Sequence, residues 1–394
     1  MPELSKTWLD DTTLRVMTYK SGSFTFSLSL DPARLQAMID RVNDAQKRFN
    51  KMPMLPQIID QMQEKVLASS VYSTNTIEGG EFTEAETEQI LKIDPQLIQK
   101  SAEKRLTNLK QAMEWVEARS KTQLTPHQGQ VISLSDVLAL HEWVSQGVDE
   151  TNNPPRQFRN NQPTQQTRVG DAEHGGAYRP PKGLEDIEYL MQAWVEWLNR
   201  PAILNQSALI RASLAHYYFE LIHPFWDGNG RTGRLIEMLI LEQSGYRFSS
   251  SAVWKYYQEN IHQYFSLFNQ CRRLAKQKDP LANQGFVGFM TKGILETIDQ
   301  LHDQSNDLIH FLLYRNALHE AHRKKTLSER QLQLIELYMS LISNEPTPLS
   351  PSELYKKIVI QLLFKDKTER TYFRDVDKIV KAGFLKEIEG KLHF

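Results

Sequence analysis

Apolar residues recur at helical spacing along most of this 394-residue chain, and the departures from that period fall at its two ends and in one long insertion. Residues 1–30 are irregular apart from Phe24, Phe26 and Leu28, whose alternation fits a strand or an extended arm. Asp31 then caps a helix with Pro32 in its first turn, and Leu35, Met38, Ile39 and Val42 form its apolar face. Pro53 and Pro56 break that helix, and a second runs through Ile58, Ile59, Met62, Val66 and Leu67 to the glycine pair Gly79-Gly80, which marks its C-terminus. A capping box, Thr83 to Glu86, opens a third helix, and helical periods continue through Ile98–Val116 and Asp136–Trp143.

Residues 152–181 change character, being rich in Asn, Gln, Pro and Gly. A connection that long inside a compact domain is more often functional than idle, and a hairpin or loop is expected. Helical spacing resumes over Leu184–Leu198, Ser207–Ile222, Arg231–Gln243, Trp254–Arg273 and Phe286–Leu313. The polar, basic stretch His319–Lys325 reads as a boundary. Beyond it come three helical patterns, Gln331–Ile342, Ser352–Leu363 and Arg370–Ala382, and two short strands around Glu389-Gly390. Three helices and a terminal hairpin are the order of a winged-helix domain. The chain is therefore expected to be mainly α, with an N-terminal helical region (1–110), a central domain (111–318) and a winged-helix-like domain (326–394).

Composition narrows the class. With 40% hydrophobic and 24% charged residues, this is an ordinary globular chain. A formal net charge of −1 supplies no global attraction to nucleic acid or acidic lipid. Its single cysteine, Cys271, excludes an intramolecular disulfide framework and fits a reducing compartment. Residues 1–11 lack the apolar core of a signal peptide, and no run suits a bilayer, so a cytoplasmic protein without membrane association is expected.

The densest chemistry lies in His223-Pro-Phe-Trp-Asp-Gly-Asn-Gly-Arg-Thr-Gly-Arg234. Gly228 to Gly233 matches G-x-G-x-x-G, but a dinucleotide site needs a preceding strand, and Ser207–Ile222 has helical spacing. A Walker loop fails as well, because no Gly-Lys-Ser/Thr follows. What remains is helix, sharp loop, helix. Pro224 disfavours helical backbone at His223, Gly228 and Gly230 permit a tight turn, and the next helix starts near Arg231 with its free N–H groups facing the loop. Such an end attracts phosphate. Arg231 and Arg234 share a helix face and can hold phosphate oxygens bidentately. Asp227 is a hard oxygen ligand suited to Mg²⁺, and His223 can accept a proton from a hydroxyl.

These twelve residues resemble, without a departure, the Fic family signature HPFx[D/E]GNGRxxR. The resemblance implies a helical fold and the transfer of AMP from ATP to a Ser, Thr or Tyr hydroxyl of a target protein. It implies that His223 is the general base and Asp227 the Mg²⁺ ligand, and that Asn229, Gly230, Arg231 and Arg234 hold the triphosphate. The nucleotide site is expected to take in Asp227, Gly228, Asn229, Gly230, Arg231, Thr232, Gly233 and Arg234, with Asn260 and Tyr264 of Tyr257-Gln-Glu-Asn260 and Tyr264-Phe265 flanking the adenine. Gln157-Phe-Arg159, Val169-Gly170 and Tyr178-Arg-Pro-Pro181 are similar to the family's β-hairpin flap, which registers a target segment by strand pairing. Thr74-Asn-Thr-Ile-Glu78-Gly79 fits the family's inhibitory motif, [S/T]xxxE[G/N], in which the glutamate pairs with the second arginine of the signature, here Arg234.

Partners expected from these readings are a target hydroxyl, the protein itself by auto-modification, a homodimer, and DNA through residues 326–394. For DNA, Lys365, Lys367, Arg370, Arg374, Lys378 and Lys381 are set against Asp366, Glu369, Asp375 and Asp377. Two rival functions stay open: a DNA-binding regulator that senses nucleotide, and a transferase of another phosphate-linked group such as phosphate, UMP or phosphocholine.

Overall fold

The computed structural model describes residues 4–122, 132–162, 164–344 and 347–394, and the chain divides into two compact units between Asp303 and Gln304. The first unit begins with an antiparallel meander, β1 (Ser5–Asp10), β2 (Thr13–Met17) and β3 (Ser23–Phe26), in which Leu14 opposes Phe26 and Val16 opposes Phe24. Only the third strand was expected. The first exposes most of its positions and the second alternates over five residues, too few for a period to stand out. Leu14, Val16 and Phe26 are fully buried, and the Phe26 ring stacks on Trp197 with centroids 6.0 Å apart.

Helices follow. They are α1 (Pro32–Asn50), α2 (Pro56–Ile77), α3 (Glu84–Ile90), α4 (Ser101–Thr122), α5 (Leu134–Ser145), α6 (Leu184–Leu198), the single turn α7 (Pro201–Leu204), α8 (Ala208–Ile222), α9 (Asn229–Glu242), α10 (Ser249–Glu259) and α11 (Ile261–Lys276). The expected caps are present. Asp31 accepts from the Ala33 N–H, and Thr83 and Glu86 close a full capping box. Helix α2 ends in a Schellman motif: Gly80 N donates to Asn75 O and Gly79 N to Thr76 O, with Gly79 at φ +81°.

Helix α8 is largely apolar and has buried residues on every face, as a central helix must. It packs on α9, which in turn meets α4, α5 and α10. This central pair places the loop 223–228 at the end of the most deeply buried elements. The stretch expected as one helix over Trp254–Arg273 is broken at Asn260 (φ −115°, ψ 35°). Both its backbone N–H and its side-chain amide donate to Tyr256 O, while its own carbonyl accepts from Tyr264 N. An asparagine amide that competes for backbone partners ends one helix and starts another.

Helix α12 (Gln284–Arg323) continues past Leu313, and residues 319–323 are its last residues, so the polar stretch expected as a connector begins inside a helix. Leu318 and Ala321 at this end of the helix are buried in the core of the second unit, so apolar anchoring outweighs the polar look of the segment. In that unit, α13 (Glu329–Asn344), α14 (Pro351–Tyr355), α15 (Ile358–Leu363), α16 (Glu369–Lys381) and the hairpin β4 (Lys386–Ile388) and β5 (Lys391–His393) follow in order. The second of the three expected helices is split in two at Lys356-Lys357. Ile335, Tyr338, Leu354, Ile360, Tyr372, Ile379 and Leu392 form the core, and Tyr338 donates to Leu392 O at 2.6 Å. Asp375 is a core brace, held by Arg330 and Gln331, which leaves three exposed acids (Asp366, Glu369 and Asp377) beside the six exposed bases around α16. Among the described residues, no helix is long and apolar enough to cross a membrane.

One buried carboxylate ties the meander to the helices. Asp186, 1% exposed in the first turn of α6, accepts from the N–H groups of Tyr19, Lys20 and Ser21 and from the Ser21 hydroxyl at 2.7–3.0 Å. Asp186→Ala is expected to cost ~3 kcal/mol, since hydrogen bonds to a charged acceptor are lost and three donors lose their partner. Urea denaturation followed by tryptophan fluorescence reads this, and a loss under ~1 kcal/mol would show that the turn is ordered by other contacts.

Candidate active site

Helix α8 ends abruptly at His223, whose backbone is left-handed (φ 50°, ψ 60°). Pro224 disfavours right-handed helix at the preceding residue, and a left-handed non-glycine costs about 1–2 kcal/mol. Arg159 holds the turn. Its Nε donates to His223 O at 2.6 Å, its Nη2 to Ile222 O at 3.3 Å and to Pro181 O, and its backbone N–H to Pro224 O at 2.9 Å. The guanidinium is fully buried, and burial pulls its pKa down to about 10. The His223 ring lies with Nδ1 3.5 Å from Glu220 Oε2, one helical turn back. Burial raises the Glu220 carboxyl, but the neighbouring His223, with His216 and Arg234, outweighs it and holds the pKa below its ordinary value.

The loop is braced from inside. Asn229 accepts from Phe225 N at 2.9 Å and donates to Phe225 O at 2.8 Å, so both ends of its amide are engaged in the turn and the side chain is 2% exposed. Phe225 is stacked face to face on the His141 ring, centroids 3.6 Å apart and planes 4° off parallel. Gly228 sits at φ +82°, where a Cβ would stand 3.0 Å from Val144, so glycine is required on both counts. Asp227 Oδ1 accepts from Gly228 N at 2.7 Å and from Arg231 Nη2 at 2.8 Å. Its Oδ2 faces Arg105 at 3.7 Å, and the side chain is half exposed. Burial raises the Asp227 carboxyl, and Arg231, Gly228 and Arg105 overcome that and lower it.

Arg234, by contrast, is 1% exposed and contacts four groups. Nε donates to Thr74 Oγ1 at 2.7 Å, Nη2 to Glu78 Oε1 at 2.5 Å and to Thr74 O at 3.4 Å, and Nη1 to the Tyr264 hydroxyl at 3.3 Å. Burial opposes its charge, but Glu78 and Tyr264 more than compensate and raise its pKa. Glu78 is the C-cap of α2, a position whose helix dipole disfavours a carboxylate. Its oxygen is set against the N-terminal turn of α9, where a Cβ on Gly230 would lie 2.1 Å from it. The positive end of α9 and Arg234 together offset the unfavourable end of α2. Glu78 thus occupies the position where a helix N-terminus and an arginine would receive an anion.

Behind Arg234 the polar contacts continue inward. Tyr264 lies 3.2 Å from His216 Nε2, His216 Nδ1 is 2.9 Å from Glu237 Oε2, and Tyr257 donates to the other Glu237 oxygen. All five residues are at least 98% buried. Gly233 makes room for this chain, since a Cβ there would meet His216 at 2.8 Å and Glu220 at 2.9 Å. Thr232 is fully buried and its hydroxyl has no partner among the described residues.

His223, Gly230 and Arg234 open with Glu78 onto one cleft of about 300 Å³, walled on the far side by Val169, Gly170 and Tyr178 and floored by Tyr264, Phe265 and Phe268. Among the described residues, the hairpin expected over this cleft is reduced to one antiparallel bridge, Val169 with Tyr178, whose two hydrogen bonds are 3.0 and 2.8 Å. Gly170 (φ +91°) sits 2.9 Å, by its would-be Cβ, from Gly176 O, and Asn269 donates to His174 O and Gly176 O. The tight turn is therefore held by side chains instead of a ladder. Asn260 is not brought to the lining of this cleft, because its amide caps α10. Tyr264 is brought to it, but with its hydroxyl spent on Arg234 and His216.

Reading the sequence missed Glu220, His216, Glu237 and His141. For the first two a signal exists: 216, 220 and 223 stand at i, i+4 and i+7, one face of α8 leading to the histidine. Glu237 and His141 come from other helices and carry no such mark.

Residues 131–241 match the family described as Fic/DOC. The chain is 30% identical over 220 residues to protein adenylyltransferase Fic of Drosophila ananassae, covering 55% of this chain and 40% of that protein. It is 33% identical over 178 residues to the protein of the same name in Drosophila willistoni, covering 45% and 32%. The chain thus spans less than half the length of these relatives. Among solved structures, a Fic-1 fragment from C. elegans is similar at 23% identity and a TM-score of 0.52, over 69% of this chain and 73% of that one. A Fic family protein from Desulfovibrio desulfuricans is similar at 18% identity and a TM-score of 0.54, over 90% of both chains. These likenesses show the fold.

Burial pushes the His141 imidazole down to about 4. The unfolded chain, with an ordinary histidine, then binds more protons than the folded one between about pH 6.5 and 4, so stability is complete above 6.5 and falls with acid. This group is expected to contribute a slope of ~1.4 kcal/mol per pH unit in that window. Urea melts between pH 7 and 5 should show a shallower slope for His141→Asn than for wild type; parallel slopes would remove the assignment.

Proposed function

We propose that this chain, which carries a Fic/DOC-family domain at residues 131–241, is a protein adenylyltransferase that moves AMP from ATP to a hydroxyl of a Ser, Thr or Tyr side chain on a target protein or on itself. The observation that carries this reading is the convergence on one cleft of a histidine base, a helix N-terminus and a buried arginine. In the reaction a hydroxyl oxygen attacks the α-phosphorus, His223 takes the hydroxyl proton, and the bond to the departing diphosphate breaks. Glu220, 3.5 Å from His223 Nδ1, supports the imidazolium that forms. Backbone N–H groups at the start of α9, with Arg231 and Arg234, neutralise charge on the phosphates. Asp227 fits Mg²⁺, because a single half-exposed carboxylate with one oxygen free of short contacts is what a phosphate-bridging Mg²⁺ asks of a protein. Bound there, the ion would supply charge stabilisation between phosphates.

Glu78 acts as a brake. Its carboxylate holds Arg234 at 2.5 Å and lies against Gly230, so the terminal phosphate of ATP must displace it to reach the same guanidinium. A chain in this state binds nucleotide poorly arranged for transfer. The edge at Val169-Gly170 is suited to pair with a target segment before the hydroxyl reaches His223. A second reading, a nucleotide-sensing DNA-binding regulator, is favoured by the six exposed bases around α16. The two separate on turnover, since a sensor releases no diphosphate.

With α-labelled ATP and Mg²⁺, Glu78→Gly is expected to raise label transfer to protein tenfold or more, the equivalent of ~1.4 kcal/mol of competition removed. Unchanged transfer would remove the brake. His223→Ala in the Glu78→Gly background is expected to abolish transfer and diphosphate release while nucleotide binding persists; retained transfer would sink the assigned base. Asp227→Asn should lose the dependence on Mg²⁺ together with activity.

A further inference from the structure

At the rim of the cleft, away from the catalytic loop, three ligand atoms converge. Glu173 and His174 lie on the turn of the flap, and His262 lies in the first turn of α11. The position of His174 is set from three sides. Its backbone N–H donates to Asp171 Oδ1 at 2.9 Å, its carbonyl accepts from Asn269 at 3.0 Å, and its ring Nδ1 is 2.9 Å from both oxygens of Asp171. An ionised carboxylate only accepts, so Nδ1 carries a proton, and in the neutral ring Nε2 is the atom with the lone pair. Those same hydrogen bonds hold Asp171 below the ordinary carboxylate range. His174 Nε2 points at His262 Nδ1, 3.0 Å away, and that nitrogen is 3.2 Å from Glu173 Oε1. The three atoms all lie within 4.8 Å of one another. Without a cation, one proton on His262 Nδ1 would have to serve two acceptors at once.

We propose that Glu173, His174 and His262 bind a divalent transition-metal ion of the Zn²⁺ class, which fastens the flap to α11. Two imidazoles and a carboxylate are the borderline ligand set that such ions prefer, and hard Mg²⁺ does not select imidazole. Ligand atoms about 2.05 Å from a tetrahedral ion stand ~3.3 Å apart, so spacings of 3.0 and 3.2 Å need only a small outward shift. Glu173 and His262 are exposed, which gives the ion a path from solvent and leaves a fourth position for water. Asp171 backs His174 as carboxylates commonly back a metal-bound imidazole, fixing its tautomer and orientation. The ligands come from segments 88 residues apart, so the ion is a cross-link between elements that also meet through Asn269, the His174–Phe265 ring contact and Arg272 over the Tyr178 ring. Because the flap itself has one bridge, Val169 to Tyr178, this cross-link would set how readily it moves over the cleft. The site is separate from Asp227 and does not depend on the transfer reaction proposed above.

The test is a Zn²⁺ titration of the full chain, stripped of metal by a chelator, in excess Mg²⁺ and against a chromophoric zinc indicator. One Zn²⁺ per chain is expected with a Kd of ~1 µM or tighter. His262→Ala and Glu173→Gln should each weaken binding about tenfold or more, and Asp171→Asn by ~10–100-fold. Zn²⁺ should also slow hydrogen exchange of the peptide covering 169–178 in wild type and not in His262→Ala. His262 is exposed, so that variant is expected to keep its metal-free thermal midpoint. Zn²⁺ affinity equal in His262→Ala and wild type, or no binding up to ~100 µM, would overturn the site.

Discussion

A guanidinium with 1% of its surface exposed cannot stay charged without partners, and the architecture around Arg234 follows from that demand. Thr74 and Glu78 from α2, Tyr264 from α11 and the turn that carries Gly230 are all drawn to one side chain of α9. Through it, α2, α9 and α11, three segments far apart in sequence, are held around one cleft. The contacts are unequal in kind. Thr74 and Tyr264 are neutral and buried, while Glu78 is a charged group about one-third exposed at its tip. A competing anion from solvent therefore meets Glu78 first, and Arg234 keeps two of its partners while it changes the third.

Strain and bracing divide the labour elsewhere in the loop. His223 takes a left-handed backbone that L-residues avoid, and Arg159 holds three successive carbonyls, those of residues 222, 223 and 224, through its side chain and backbone. Asn229 and the Phe225–His141 stack hold the far side. The effect is a histidine whose ring is placed by buried neighbours and stays open to the cleft. The polar chain from Arg234 through Tyr264 and His216 to Glu237 and Tyr257 extends this rigidity into the core, where every additional polar atom must be matched.

Much of the helical order was legible from periodicity and caps, because those signals are local: Asp31, Thr83 with Glu86, and Gly79 act within a few residues of themselves. Where the expectations departed from the structure, a non-local contact decided. The last turn of α12 is helical because Leu318 and Ala321 find a core, and β1 and β2 form because each supplies the partner the other lacks. The break at Asn260 is the exception, a local competition between an amide and the helix backbone whose outcome its sequence left open.

For the site, the sequence by itself determined the identities and order of the candidate groups, since His223 to Arg234 are adjacent and their spacing fixes which share a helix face. It also marked Glu78 and Thr74 as one face of α2. Only the tertiary structure decided what each group has left to offer. It spends the Asn229 amide on its own loop, gives Arg231 to Asp227, and confines Arg234 among Thr74, Glu78 and Tyr264. It also brings His262 to Glu173 and His174 across 88 residues. The physical reason is the range of the forces involved. Backbone preference and helical spacing act over a few residues, whereas the demand that a buried charge or lone pair find a partner is met by whatever the packing of distant segments supplies.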